Sequence, residues 1–176
     1  GFEERAIGVM IRDASQMRPL ADRMRRDLPR RVFPPGRVTA YSNYGSALAG
    51  LIVEEVSGIS YERYLEERIL KPLGMAHSTL AQPVPTALAR DLSKGYRWRD
   101  GRFEERPFEI LSWPPCGALS ASASDMARFM TAHLNDGSLD ETKILLPETA
   151  RLMRTRVSSV FPETNGVLHG FLDLSQ

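Results

Sequence analysis

The sequence predicts a mainly α-helical fold with one small β-hairpin, and three observations carry the prediction. Apolar residues return every three or four positions in four separate stretches, the period of a helix with one face in a core. These stretches open behind serine or asparagine and close on glycine or proline, the residues that start and stop helices. One short run alternates instead, around Asp100-Gly101, a dipeptide that suits a two-residue hairpin turn.

Residues 1–14 show no clean period. Ser15 is placed to cap a helix running to about Leu28, with Leu20, Met24 and Leu28 on one face and Pro29 ending it. Arg23, Arg25, Arg26, Arg30 and Arg31 read as a solvated basic face. Binding of nucleic acid would ask for interleaved aromatics and a basic chain. Pro34-Pro35-Gly36 forms a turn. The next helix runs from about Tyr44 to Val56, with Leu48, Leu51, Ile52 and Val56 as its apolar face. Gly45, Ala47, Ala49 and Gly50 are small enough to admit a close neighbour, and Gly58 suits the left-handed position that stops the helix. Ser60 caps a helix from Tyr61 to about Leu70, with Tyr61, Tyr64, Leu65 and Ile69 inward, and Pro72 and Gly74 close it. Residues 81–94 are irregular, and the hairpin follows, with Tyr96-Arg97-Trp98 and Phe103 flanking its turn. Trp113-Pro114-Pro115-Cys116-Gly117 is a rigid loop. Ser122 or Ser124 caps a helix carrying Met126, Phe129, Met130 and His133 and ending at Asn135-Asp136-Gly137. Pro147 opens a short helix to about Arg154. The tail, 157–176, turns apolar at Gly170-Phe171-Leu172, a strand start.

Bulk composition narrows the function classes. The chain has 176 residues, 42% hydrophobic and 26% charged, a soluble globular balance for one domain. A net charge of +1 supplies no field to draw nucleic acid or a membrane surface. No apolar run approaches the ~18 residues of a membrane span. The single cysteine, Cys116, cannot form an internal disulfide. The histidines do not cluster, and neither metal-ligand spacing nor a phosphate-cradling glycine loop is present, so no metal and no cofactor are expected.

Complete catalytic motifs are absent from these residues. No G-x-S-x-G exists, and the positions three before Lys71, Lys94 and Lys143 are Arg68, Asp91 and Asp140, so there is no S-x-x-K. There is no K-T-G, and His169 is followed by Gly170 and Phe171 rather than H-x-G. No nucleophile is therefore expected in this chain. Three blocks nevertheless carry a resemblance. Pro35-Gly36-Arg37-Val38-Thr39-Ala40-Tyr41-Ser42-Asn43-Tyr44-Gly45 resembles the second active-site motif of the class C β-lactamase family, which also holds penicillin-binding proteins, D-Ala-D-Ala carboxypeptidases and many esterases. Pro72-Leu73-Gly74-Met75 is similar to the family's P-L-G-M segment. Pro115-Cys116-Gly117-Ala118-Leu119, followed by Ser122-Ala123-Ser124-Asp125-Met126-Ala127-Arg128-Phe129, resembles its P-A-G-G-L-x-S-T-A-x-D-x-A-x-F. The blocks stand in family order over roughly residues 30–137.

The resemblance implies that residues 1–176 are a single partial domain, truncated at both ends. They would form the helical lobe of the α+β β-lactamase/DD-peptidase fold, with the S-x-x-K helix before it and the K-T-G or H-x-G strand beyond. It implies that Tyr41 is catalytic, moving protons between serine and leaving group, and that Asn43 binds substrate. A free phenol, pKa near ~10, needs cationic neighbours to act as a base. An amide can both donate and accept. The bare residues also allow a structural reading, in which Asn43 caps the following helix and Tyr41 packs in the core. Ser42 is the motif's variable middle residue. The parent would be a serine hydrolase acting through an acyl-enzyme on a small-molecule or peptidoglycan-like substrate: an ester, a D-amino-acid amide or a β-lactam. The fragment alone would be inactive. The competing class is a non-catalytic binding or assembly module on the same fold. Relatives acting on cell-wall substrates are exported, which favours the periplasm or cell envelope over the cytoplasm. Apolar surface left where a missing sheet should pack would favour a homo-oligomer. Ala118 departs from the family's second glycine, and would be strained if that position needed a positive φ. Trp113 is expected in the core or at a substrate rim.

Overall fold

The computed structural model describes residues 1–4, 8–159, 161 and 165–173. Its elements are β1 (Met10–Ile11), α1 (Leu20–Arg26), α2 (Asn43–Ser57), α3 (Tyr61–Leu65), β2 (Ser78–Thr79), α4 (Thr86–Ala89), β3 (Gly95–Arg99) and β4 (Arg102–Arg106). After them come β5 (Ile110–Leu111), β6 (Ser120–Ala121), α5 (Ala123–Leu134), β7 (Ser138–Leu139), β8 (Thr142–Lys143), α6 (Pro147–Met153), β9 (Ser158–Ser159), β10 (Gly166–Val167) and β11 (Leu172–Asp173). Helix makes up 37% and strand 18%, so the mainly helical class holds. The β3–β4 hairpin is the one predicted, with Trp98 opposite Phe103 and both turn residues at positive φ, Asp100 at 49° and Gly101 at 80°. The other ladders join strands of only two residues. Two of them, β1 with β5 and β2 with β6, stitch together segments far apart in sequence, and pairs this short leave no alternating pattern to read.

Two hydrophobic cores lie along the chain. The first gathers Val9, Leu20, Met24, Tyr44, Ala47 and Trp113, with Phe2, Leu48, Leu51, Leu111 and Cys116 packed against it. The second gathers Leu70, Leu73, Met75, Leu80 and Ala132, flanked by Tyr61, Leu65, Ile69, Met126 and Phe129. Helix α2 belongs to the first core and hands the chain to the second. Gly58, at φ 72°, ends it by donating to the Glu54 carbonyl. The Glu54 side chain then accepts from the Tyr61 N–H at 2.8 Å, and Ser60 Oγ accepts from the Arg63 N–H, so two side chains cap α3. The helix predicted to Leu70 does reach it, but its last turn, Glu66–Leu70, widens to π geometry. In the second core the buried Asp125 carboxylate accepts from the His77 N–H and the Ser78 hydroxyl, both at 2.7 Å. It clamps the first turn of α5 to the segment after Pro72-Leu73-Gly74. Of the two candidate caps for α5, Ser122 is the one used; its Oγ accepts from the Asp125 N–H.

Three expectations are corrected. Ser15 does not cap the first helix: it sits in a separate 3₁₀ turn, Ala14–Gln16, capped by Asp13, and α1 begins after Pro19. Proline disfavours helical geometry in the residue before it, which splits the segment. Leu28 is consequently outside the helix and exposed. Arg23 is not part of a solvated face. It pairs with Asp27 at 2.6 Å and donates to the Gly8 carbonyl at 2.6 Å, holding the N-terminal segment to α1. The buried face of α2 is only partly the expected one: Leu48 and Leu51 are half-buried against the first core beside the buried Tyr44, Ala47 and Gly50, whereas Ile52 and Val56 face solvent. The partner of α2 is the prolyl turn Pro114–Cys116, and it approaches too closely for large side chains.

That approach is tightest at Gly50, where an added Cβ would lie 2.2 Å from Pro115 Cγ and 2.7 Å from Pro115 Cβ. Helix propensity alone favours Gly→Ala by ~1 kcal/mol. Overpacking a tight contact costs about 1–3 kcal/mol. Gly50→Ala is therefore expected to lower the urea midpoint, and a raised midpoint would show that the contact is not limiting.

Candidate active site

Four segments build the site around the start of α2. The N-terminal strand of chain runs beside residues 30–33: Phe2 bridges to Arg31, the Glu3 N–H donates to the Arg30 carbonyl, and the Val32 N–H donates to the Gly1 carbonyl. Phe2 then packs edge-on against Tyr44, ring centres 5.2 Å apart. This pairing brings Glu4 to the N-terminus of α2. The turn around Gly36, at φ 71°, leads into Thr39, whose hydroxyl is hydrogen-bonded to Ser158 on β9. Beyond it, the extended Ser42 caps α2, its Oγ accepting from the Gly45 N–H at 3.0 Å.

Tyr41 and Asn43 meet. The Tyr41 hydroxyl donates to Asn43 Oδ1 at 3.0 Å, across one intervening residue whose extended backbone sends its neighbours to the same side. The two donors of Asn43 at the helix start go to one carboxylate: Nδ2 to Glu4 Oε1 at 2.7 Å and the backbone N–H to Glu4 Oε2 at 3.0 Å. An anion at a helix N-terminus is also favoured by the helix dipole. Glu4 was not legible as a site residue, because it stands 39 positions away in a stretch without a period. The structural alternatives drawn from the bare residues do not hold. Asn43 is the first helical residue and Ser42 is the cap, and Tyr41 is 72% exposed rather than core. Ser42 is occupied by capping. Lys71 and Lys94 pair with Glu66 and Glu105 elsewhere, and Lys143 lies on β8. A groove of about 760 Å³ runs past His77, Leu88, Leu92 and Ser122 and contains neither Tyr41 nor Asn43. The pair stands on open surface.

The other chemically notable side chains are structural. Cys116 donates to the Trp113 carbonyl at 3.0 Å, and burial, with the Glu4 charge adding to it, pushes its thiol above the usual range, away from the reactive thiolate. Trp113 is 1% exposed and stacks edge-on with Tyr44, so it is core and not a substrate rim. Ala118 is buried and does not take a positive φ; Gly117 before it carries the unusual backbone at φ 151°, and Ala118 is unstrained. Among the described residues no group of His, Cys, Asp and Glu could hold a metal ion. His133 is held between the rings of Phe129 and Phe171, at 4.5 and 5.2 Å, and joins α5 to the C-terminal strands.

Residues 8–172 match the sequence model of the family described as Beta-lactamase. The chain is 36% identical over 117 residues to the beta-lactamase-like protein 2 of Dictyostelium discoideum, covering 64% of this chain and 21% of that one. It is 33% identical over 130 residues to penicillin-binding protein 4 of Amycolatopsis lactamdurans, covering 71% and 34%. Its fold superposes with a TM-score of 0.66 on the octameric penicillin-binding protein homologue from Pyrococcus abyssi, at 29% identity, covering 80% of this chain and 31% of that one. The chain thus spans about a third or less of the length of each of these three proteins.

Burial, and then the charge of Arg154, lower the pKa of His133 below its ordinary 6.5. The unfolded chain binds a proton as pH falls through 6.5 while the folded one resists it, so stability is full above that pH and declines below it. Urea midpoints measured from neutral pH down to mildly acidic pH should fall less steeply in His133→Phe than in the wild type. Equal slopes would remove His133 as the cause.

Proposed function

The chain belongs to the β-lactamase family, and from that premise we propose that it supplies the tyrosine–asparagine element of a serine hydrolase working through an acyl-enzyme. The observation that supports this reading is the Tyr41–Asn43 hydrogen bond at the capped start of α2, with the phenol exposed. Tyr41 moves a proton between the attacking serine and the leaving group, and the serine comes from an S-x-x-K element that these residues do not contain. Asn43 holds Tyr41 through Oδ1 and turns Nδ2 toward an acyl carbonyl of the substrate. Glu4 takes that donor in the present arrangement, so a substrate carbonyl has to displace it. The open surface around the pair fits half of a cleft whose other wall would carry the nucleophile and the closing strand. Residues 1–176 then form one part of a larger catalytic domain, inactive alone. The substrate class is an ester, a D-amino-acid amide or a β-lactam, small or peptidoglycan-like. The envelope is the favoured location, and the non-catalytic module remains the competing class. Among the described residues no helix is long and apolar enough to cross a membrane.

A self-associating state is part of the same proposal. Leu28, Val32, Phe33 and Val38 are exposed within eleven positions, and a similar protein is described as octameric. Light scattering of the 176-residue chain at rising concentration should show growth in mass that Phe33→Ser reduces.

Intact-mass spectrometry after incubation with a fluorophosphonate and with a penicillin should find no adduct on this chain. An adduct on any serine would place a nucleophile inside these residues and overturn the assignment. In a longer chain that carries S-x-x-K, Tyr41→Phe should slow acylation roughly 10²–10⁴-fold, the usual weight of one proton-transfer group. Acylation at the wild-type rate would assign Tyr41 a packing role only.

A further inference from the structure

The β3–β4 ribbon stands out from both cores with its two faces in solvent and two different chemistries on them. Strand alternation and register put Tyr96, Trp98, Phe103 and Glu105 on one face. The rings are 56%, 60% and 70% exposed, and Trp98 and Phe103 lie edge-on at 4.8 Å. The one acid on that face, Glu105, is matched by Lys94 at 2.9 Å, which leaves the aromatic face without net charge. The opposite face carries Arg97, Arg99, Arg102 and Arg106; Glu104 pairs with Arg102 and the turn's Asp100 with Arg99, which leaves Arg97 and Arg106 as its unmatched charges. The net charge of +1 for the whole chain hides this local excess.

The charge decides the class of occupant. Paired with itself through the arginine face the ribbon would set Arg97 and Arg106 against their like, and paired through the aromatic face it would leave them unmet, so a second copy is disfavoured. The partner must be anionic. A rigid acidic protein surface could cover the arginine face but would leave the exposed rings in water. A layer of anionic lipid headgroups can satisfy both. Aromatic rings settle at the boundary between headgroups and acyl chains, and cationic side chains engage the phosphates. The ribbon is narrow, with strands ~4.8 Å apart, so long guanidinium side chains on the far face reach around its edges. We infer that the β3–β4 ribbon docks this protein on an anionic lipid surface, aromatic face inward. The attachment is peripheral and independent of the hydrolase reading.

The two tryptophans make the test direct. Trp113 is 1% exposed and Trp98 60%, so a change in tryptophan emission on docking reports Trp98. The 176-residue chain is titrated with vesicles of phosphatidylcholine, with and without phosphatidylglycerol, while emission and co-sedimentation are followed. The expected result is a shift to shorter wavelength and sedimentation only with the anionic vesicles, both reversed by salt. Arg97→Gln and Arg106→Gln should each weaken partitioning roughly fivefold, and Phe103→Ser should weaken it with Trp98 still present as reporter. Absence of any shift, equal binding to neutral vesicles, or unchanged binding by these variants would overturn the inference. An equal shift with soluble polyglutamate would overturn it in favour of an acidic protein.

Discussion

The seating of Pro115 against Gly50 is the contact on which the rest of the first core depends. It draws the turn Pro114–Cys116 onto the small-residue face of α2, next to Ala47 at 0% exposure. With the turn in place, Trp113 is buried against Tyr44, and Tyr44 in turn receives Phe2. A side chain at position 50 would push the turn away and uncover this stack of rings. Two prolines and a glycine make the approach possible, because proline rings are rigid and glycine leaves the space they need. Helix α2 is thereby fixed in rotation as well as position, and its first turn points the Tyr41-Ser42-Asn43 segment outward.

The electrostatics at that first turn follow from helix ends in general. The opening N–H groups of a helix lack partners within it. Here Ser42 Oγ takes one and Glu4 takes another, so the asparagine side chain is aligned by the same carboxylate that caps its backbone. Asn43 spends both its functions, acceptor to the phenol and donor to Glu4, and its rotamer is held from two sides. Such preparation suits a residue that must present a donor in a set direction. It also explains why the pair holds its geometry on an open surface. The second core is joined on by Glu54 capping α3 and by Asp125 gathering the His77 and Ser78 donors, again through carboxylates that accept from backbone or hydroxyl groups.

The surface divides into regions with different logic. Around Asp136, the guanidiniums of Arg151 and Arg154 hold the carboxyl below its usual range, and these exposed pairs join the loop after α5 to α6. Exposed ion pairs contribute little to stability. The ribbon is the opposite case. It has no core beneath it, and its alternation sorts rings from guanidiniums rather than buried from exposed residues. A pattern that elsewhere marks an inside and an outside here marks two outsides.

The residues by themselves determined the helical class, the hairpin turn at Asp100-Gly101, the stop at Gly58, the Ser60 cap and the link to the family, because each rests on local backbone preference or on a contiguous motif. Tyr41 and Asn43 came with the motif, and the extended Ser42 between them, seen in the structure, sends both side chains the same way. The close approach at Ala47 and Gly50 and the packing of Leu48 and Leu51 were legible, but the exposure of Ile52 and Val56 was not, because the prolyl turn selects for size and not for transfer energy. Pro19 sets the break before α1, against the period of Leu20, Met24 and Leu28. Glu4 and the two-residue ladders could be found only in three dimensions. Their partners are brought close by chain reversal over tens of residues, and a side chain chosen to meet a distant helix end leaves no period in its own neighbourhood.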